Sequence, residues 1–172
     1  VFSGAAITVN TGNTISGTGQ INIHVATVNG TANLVLATAT VSQTSASNSL
    51  TGSAGQTMII PAGTTYNFAS GSNLGFDGIT NNGTLNISNS VSFDSDLSNN
   101  NALTWTSGAL TGNSSGGSTI INTGNITIGA INQTITDVNF LNQSGGTITK
   151  TGGGFQNQTI PTSFTNESGA TL

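Results

Sequence analysis

Apolar residues along this chain come in short alternating groups. Leu85 and Ile87, Leu103 and Trp105, and Ile126 and Ile128 each stand two positions apart across a polar residue. Ile21, Ile23 and Val25 repeat the spacing nearer the start, as do Leu34 and Leu36. Period two puts every second side chain on one face of an extended strand, whereas an amphipathic helix needs apolar positions three and four apart. Gly, Ser, Thr and Asn fill the intervals, and all are poor helix formers. The pattern predicts an all-β chain of many short strands, each burying one face.

The strands recur in a frame. ITNNGTLNI, IINTGNITI and FTNESGATL begin at Ile79, Ile120 and Phe164, and each sets asparagine and glycine ahead of an alternating run. Aligning the asparagines places the repeat on Asn82, Asn101, Asn122, Asn142 and Asn166, at steps of 19, 21, 20 and 24 residues. Glycine follows closely in every unit but that of Asn101, where a bend calls for positive φ or a side-chain amide bonded to its own backbone. A sandwich of hairpins does not need successive strands to resemble one another; a solenoid repeats because each unit is one turn of the same coil. Some 20 residues at roughly 3.3 Å each give a circuit of about 65 Å, room for two or three strands, with turns stacked about 4.8 Å apart. The expected fold is a parallel β-helix, or β-solenoid. Asn82, Asn101, Asn122, Asn142 and Asn166 are expected to form an amide ladder from turn to turn.

The first part of the chain does not lie on this asparagine frame, and Asn29-Gly30 between two alternating runs is a hairpin signal. Residues 1–55 are therefore expected to form irregular first coils, an N-terminal cap or a small β subdomain. Residues 56–172 are expected to form the coils, with the Gly- and Ser-rich stretch 45–56 as the junction.

The units quoted above, over roughly residues 79–172, resemble the β-helical repeat regions of secreted bacterial surface proteins, the filamentous-haemagglutinin-like adhesins and autotransporter passengers. The resemblance implies a right-handed coil outside the cell, serving as a stalk, adhesin or fibre. No secretion-domain motif stands at the start and no membrane-barrel segment at the end, and the last unit stops as its strand begins. The sequence is expected either to be a piece of a longer protein or to end on an exposed strand.

Composition changes the picture chiefly through charge. Charged residues are 3% of the 172, and Lys150 is the one base against five acids, for a formal net charge of −4. Nucleic acid is not an expected partner, because phosphate binding draws on several Lys and Arg contacts. No apolar run has the length of a spanning helix, and no charged n-region with an apolar segment opens the chain, so any secretion signal is expected to lie outside it. Membrane insertion is not expected. Cysteine is absent, which excludes disulfides and thiolate metal sites. A surface hydrated by hydroxyls and amides suits an extracellular setting.

The candidate chemistry is sparse. Asp94 and Asp96 are the only close acidic pair, but a glycosidase needs a polar cleft around its carboxylates, and a calcium loop wants Gly and Glu where Asn99 and Trp105 stand. They read as exposed acids capping a corner. His24 is the only histidine and is out of phase with Ile21, Ile23 and Val25, so it is expected at the surface. Trp105 shares the inward phase of Leu103, and Tyr66 is the other ring that would stack on a sugar if exposed. Threonine pairs at Thr38 and Thr40, Thr134 and Thr136, and Thr147 and Thr149 are not evenly spaced, which ranks ice binding low. N-x-S/T matches fall at Asn29, Asn82, Asn86, Asn113, Asn125, Asn132, Asn142, Asn157 and Asn166, against about seven expected by chance from this composition.

These readings converge on a non-enzymatic, extracellular structural protein without cofactor or metal, a fibre subunit, stalk or adhesin segment whose copies associate end to end. A module binding glycans or a cell surface is the second expectation.

Overall fold

The structure, a computed structural model, describes residues 2–8, 14–29, 32–43, 48–68, 72–129, 133–152, 155–159 and 163–172. Among these residues the only regular secondary structure is β-strand. From Thr57 onward the chain winds through three strand positions in strict rotation, and each strand pairs in parallel with its counterpart one turn away. The first face comprises Thr57–Ile60, Gly78–Asn81, Leu97–Asn99, Ser118–Asn122, Val138–Asn142 and Phe164–Asn166. The second comprises Thr65–Phe68, Thr84–Ile87, Ala102–Trp105, Asn125–Ile128 and Thr147–Lys150. The third comprises Asn48–Thr51, Ser72–Gly75, Val91–Phe93, Ala109–Thr111, Gln133–Thr136 and Phe155–Thr159. The result is a three-sided parallel β-solenoid of about 6 turns.

The early strands belong to the same winding but are longer and less regular. Leu34–Gln43 runs unbroken past the first corner, pairing at its start with the first face and at its end with the second. Thr14–Asn29 pairs in parallel with Leu34–Gln43 and then with Asn48–Thr51, with a register shift between Gly17 and Gln20. Phe2–Thr8 pairs in parallel with Thr14–Asn29, again with shifts. The hairpin expected at Asn29-Gly30 is not formed. Thr14–Asn29 and Leu34–Gln43, the strands on either side of it, pair in parallel, with Ile15 beside Leu36 and Ile21 beside Val41.

Alternation does the rest of the work. On the first face Met58, Ile79, Leu97, Ile120 and Phe140 follow one another in register up the interior. On the second, Tyr66, Leu85, Leu103, Ile126 and Ile148 form one inner column, and Phe68, Ile87, Trp105 and Ile128 the next. Leu50, Leu74 and Phe93 line the third face. All of these are buried. Each such side chain contributes roughly 1.5–3 kcal/mol by leaving water. Burial also pushes the Tyr66 hydroxyl well above its ordinary pKa, because ionisation would strand a charge in the interior. The neutral hydroxyl donates to Gln43 Oε1 at 2.9 Å.

Trp105 fills the interior between Ile87 and Ile128 and donates from its ring nitrogen to Ser107 O at 3.0 Å. Replacing Trp105 with Ala is expected to lower the free energy of unfolding by about 3–5 kcal/mol, read by denaturant titration. The raised Tyr66 pKa gives stability that is fully present below the unfolded-state value of about 10 and is lost as pH rises above it. Stability measured from pH 9 to 12 should fall across that range, and the Tyr66→Phe chain should lose the part of the slope due to this group.

Candidate functional site

Among the described residues the interior holds one polar column, at the corner where the first face turns into the second. Asn81, Asn99, Asn122, Asn142 and Asn166 occupy the same position in successive turns. Each amide nitrogen donates to the amide oxygen of the next: Asn81 to Asn99, Asn99 to Asn122, Asn122 to Asn142 and Asn142 to Asn166, all at 2.7 Å. The same nitrogens reach backbone carbonyls beyond the corner, Ala102 O at 2.9 Å from Asn81, Thr147 O at 3.2 Å from Asn122 and Thr171 O at 2.9 Å from Asn142. The ladder therefore ties turn to turn and also ties each first-face strand to the second-face strand of the turn above. From Asn81 to Asn142 these side chains are fully buried. An asparagine suits the position because its neutral amide both donates and accepts, so one residue type can repeat without limit.

Three of the asparagines aligned from the sequence, Asn122, Asn142 and Asn166, are in this column. Asn82 and Asn101 are not; their places are taken by Asn81 and Asn99. Both misplacements lie in runs of asparagine, Asn81-Asn82 and Asn99-Asn100-Asn101, where alignment on the residue type alone is ambiguous. The signal that separates them is an inward apolar residue two positions earlier: Ile79, Leu97, Ile120, Phe140 and Phe164 precede the five ladder members in turn. Asn82 and Asn101 lie outside the coil wall, where Asn82 accepts from Asn100 Nδ2 at 2.8 Å and from Asn101 Nδ2, through its backbone oxygen, at 3.3 Å.

The glycines that follow the ladder fall into two kinds. Gly145 and Gly169 bend through positive φ, 88° and 85°. Gly83, Gly124 and Gly146 do not; there a Cβ would run into the backbone of the turn below, at the Thr64, Asn101 and Asn122 carbonyl oxygens respectively. At these corners glycine is required by close approach and not by its conformational freedom.

The remaining candidates are structural in their contacts. Asp94 and Asp96 sit at the corner between the third and first faces, flanking Ser95, and Asp96 Oδ1 accepts the Thr119 backbone N–H at 2.7 Å. Asp77 lies at the same corner one turn earlier and accepts the Gly55 N–H, and Asp137, with φ 54°, turns that corner farther up. Among the described residues no three His, Cys, Asp or Glu side chains converge as metal ligands. Trp105 and Tyr66 are buried and offer no ring to a sugar. Lys150 stands in the inner column above Ile128, and its Nζ donates to Gly129 O at 2.7 Å, Gln133 Oε1 at 3.0 Å and Gly152 O at 2.6 Å. The side chain of His24 lies outside the described residues.

Of the N-x-S/T asparagines, Asn142 is buried with its nitrogen bonded, and Asn166 is bonded at the top of the ladder. Asn86 donates to Asn67 Oδ1 at 2.9 Å and Asn113 to Asp94 O at 3.2 Å. Asn82 is half-buried, and Asn29 and Asn125 are exposed. Asn132 and the side chain of Asn157 lie outside the described residues.

On the outside of the second face the register draws up two columns. Thr65 and Asn67 are followed by Thr84 and Asn86, Ala102 and Thr104, Asn125 and Thr127, and Thr147 and Thr149. Of the threonine pairs singled out in the sequence, Thr147 and Thr149 stand here, Thr40 precedes Thr65 in the first column while Thr38 is buried, and Thr134 and Thr136 lie on the third face.

No protein family, curated protein or solved structure matches the chain.

An Asn122→Ala chain should lose about 2–4 kcal/mol of stability, since it removes a buried partner from both Asn99 and Asn142, whereas Asn101→Ala should change it by less than about 0.5 kcal/mol. Denaturation midpoints of the two variants measured side by side test the corrected register of the ladder.

Proposed function

We propose that the chain is a non-enzymatic structural element of an extracellular protein, a rod-like segment of a stalk, fibre or adhesin akin to the filamentous-haemagglutinin-like proteins its repeats resemble. The observation that carries this reading is the unbroken bonding of turn to turn, through backbone and asparagine amides alike, up to the last described coil. A stack of this kind is built to be extended, and its stiffness does not depend on charge. The aspartates support the reading in a second way: Asp77 and Asp96 are engaged in stapling corners to the neighbouring turn, and among the described residues no three His, Cys, Asp or Glu side chains converge.

The same geometry supports association end to end. Phe164 stacks on Phe140 at 5.9 Å yet remains 46% exposed, and Leu172 is 69% exposed. The edge above Phe164–Asn166 carries the register of the coil beneath it, and an unpaired strand edge beside apolar side chains is a template for another strand. In purified protein of this sequence a second copy occupies that edge. Analytical ultracentrifugation and electron microscopy across a wide concentration range should show assemblies that grow with concentration, and Phe164→Asp should suppress them. Monomers alone at every concentration would falsify this mode of association.

A further inference from the structure

We propose that Asn89 is a site of spontaneous deamidation, held by the fold in the geometry of its own ring closure. In this reaction the backbone nitrogen of the following residue gives its proton to hydroxide or water and attacks the asparagine Cγ. The new N–Cγ bond closes a five-membered succinimide, the Cγ–Nδ2 bond breaks, and the amide nitrogen takes up a proton and leaves as ammonia. Water then opens the ring at either carbonyl to give aspartate or isoaspartate. Glycine after the asparagine hinders the attack least, so the sequence by itself points to Asn29-Gly30 and Asn82-Gly83. Gly30 lies outside the described residues, and the comparison is between Asn82 and Asn89.

Asn82-Gly83 is held away from this reaction. The Gly83 N–H is committed to Asn81 Oδ1 at 3.2 Å, while the Asn82 side chain points up the coil and accepts from Asn100 Nδ2 at 2.8 Å. The backbone on both sides is clamped to the turn below, Asn82 N–H to Ile60 O at 2.8 Å and Thr84 N–H to Thr64 O at 2.9 Å, so the Gly83 nitrogen is not free to swing toward Cγ. Asn89-Ser90 is the reverse case. It lies at the corner between Thr84–Ile87 on the second face and Val91–Phe93 on the third, and both residues are exposed. The Ser90 N–H donates to Oδ1 of Asn89 itself at 2.8 Å. Because Oδ1 is bonded to Cγ, this contact brings the attacking nitrogen to roughly 3–3.5 Å from the carbon it attacks, the separation of a near-attack conformer. Nδ2, which must leave, bonds to no protein group among the described residues.

The corner also registers the change. A Cβ on Gly108, one turn up, would lie 2.3 Å from Ser90 N, and the Ala109 N–H donates to Ser90 Oγ at 3.1 Å. Isoaspartate inserts a methylene carbon into the backbone at this close approach, and either product adds a negative charge to a chain whose formal net charge is −4.

The test is incubation of the purified, folded chain in mildly alkaline buffer beside a synthetic peptide of residues 79–93, which contains both sites without the fold. Peptic digestion and mass spectrometry follow the amide-to-acid exchange at each asparagine over time. In the peptide Asn82 should convert first. In the folded chain the order should reverse, with Asn89 converting about tenfold faster than Asn82 and yielding both aspartate and isoaspartate. The proposal is overturned if Asn89 fails to lead Asn82 in the folded chain, if it leads in the peptide as well, or if it stays an amide while the peptide is converted.

Discussion

The structure depends on parallel, in-register bonding of each turn to the next. Once two successive turns are in register, every side chain has a fixed neighbour above and below, and the choice of residue at a position becomes a choice for a whole column. Inner columns can then be apolar without interruption, as from Tyr66 to Ile148, or polar without interruption, as from Asn81 to Asn166. A side chain that does not match its neighbour one turn away needs partners elsewhere, as Lys150 above Ile128 finds in three oxygen atoms. A buried carboxylate in the ladder would face a like charge at each neighbouring turn, and a buried amide with an apolar neighbour on both sides would lose its partners. The ladder begins at such a mismatch: Ile60 lies beneath Asn81, and Asn81 turns its oxygen to the Gly83 backbone N–H at 3.2 Å.

This constraint also explains how a chain with 3% charged residues can hold a fold. Stability here comes from apolar columns, backbone pairing and neutral amides, so ionic contacts are not needed to hold one turn on another. The few charges are placed where geometry leaves room. The aspartates are gathered at one corner, where carboxylate oxygens accept backbone N–H groups of adjacent turns that the strand ladders leave unpaired. The corners absorb the variation in turn length, from 18 residues between Asn81 and Asn99 to 24 between Asn142 and Asn166, and the faces stay in step.

Much of this was legible in the sequence because alternation is a local signal. The inward phase of Leu103 and Trp105, or of Ile126 and Ile128, follows from period two alone, and the recurrence of similar units called for stacking over hairpins. The identity of the ladder was less legible. It depends on phase as well as residue type, and in NNG and NNN runs the type is uninformative, so Asn82 and Asn101 were read where Asn81 and Asn99 stand. The direction of the first runs was not legible either. Asn29-Gly30 has the chemistry of a tight reversal, and only long-range pairing decides that the chain travels round a third side before it returns. Likewise the outer columns of the second face are invisible along the chain, since their members are separated by corners of unequal length.

Lys150 has a consequence for how such a fold resists cleavage. It is the only Lys or Arg among 172 residues, it lies in a paired strand, and its ammonium group is held by three oxygen atoms at the wall of the coil. Digestive enzymes that cut after basic residues have one bond to attack, and reaching it requires pulling that amine out of its cage and the strand away from its neighbour.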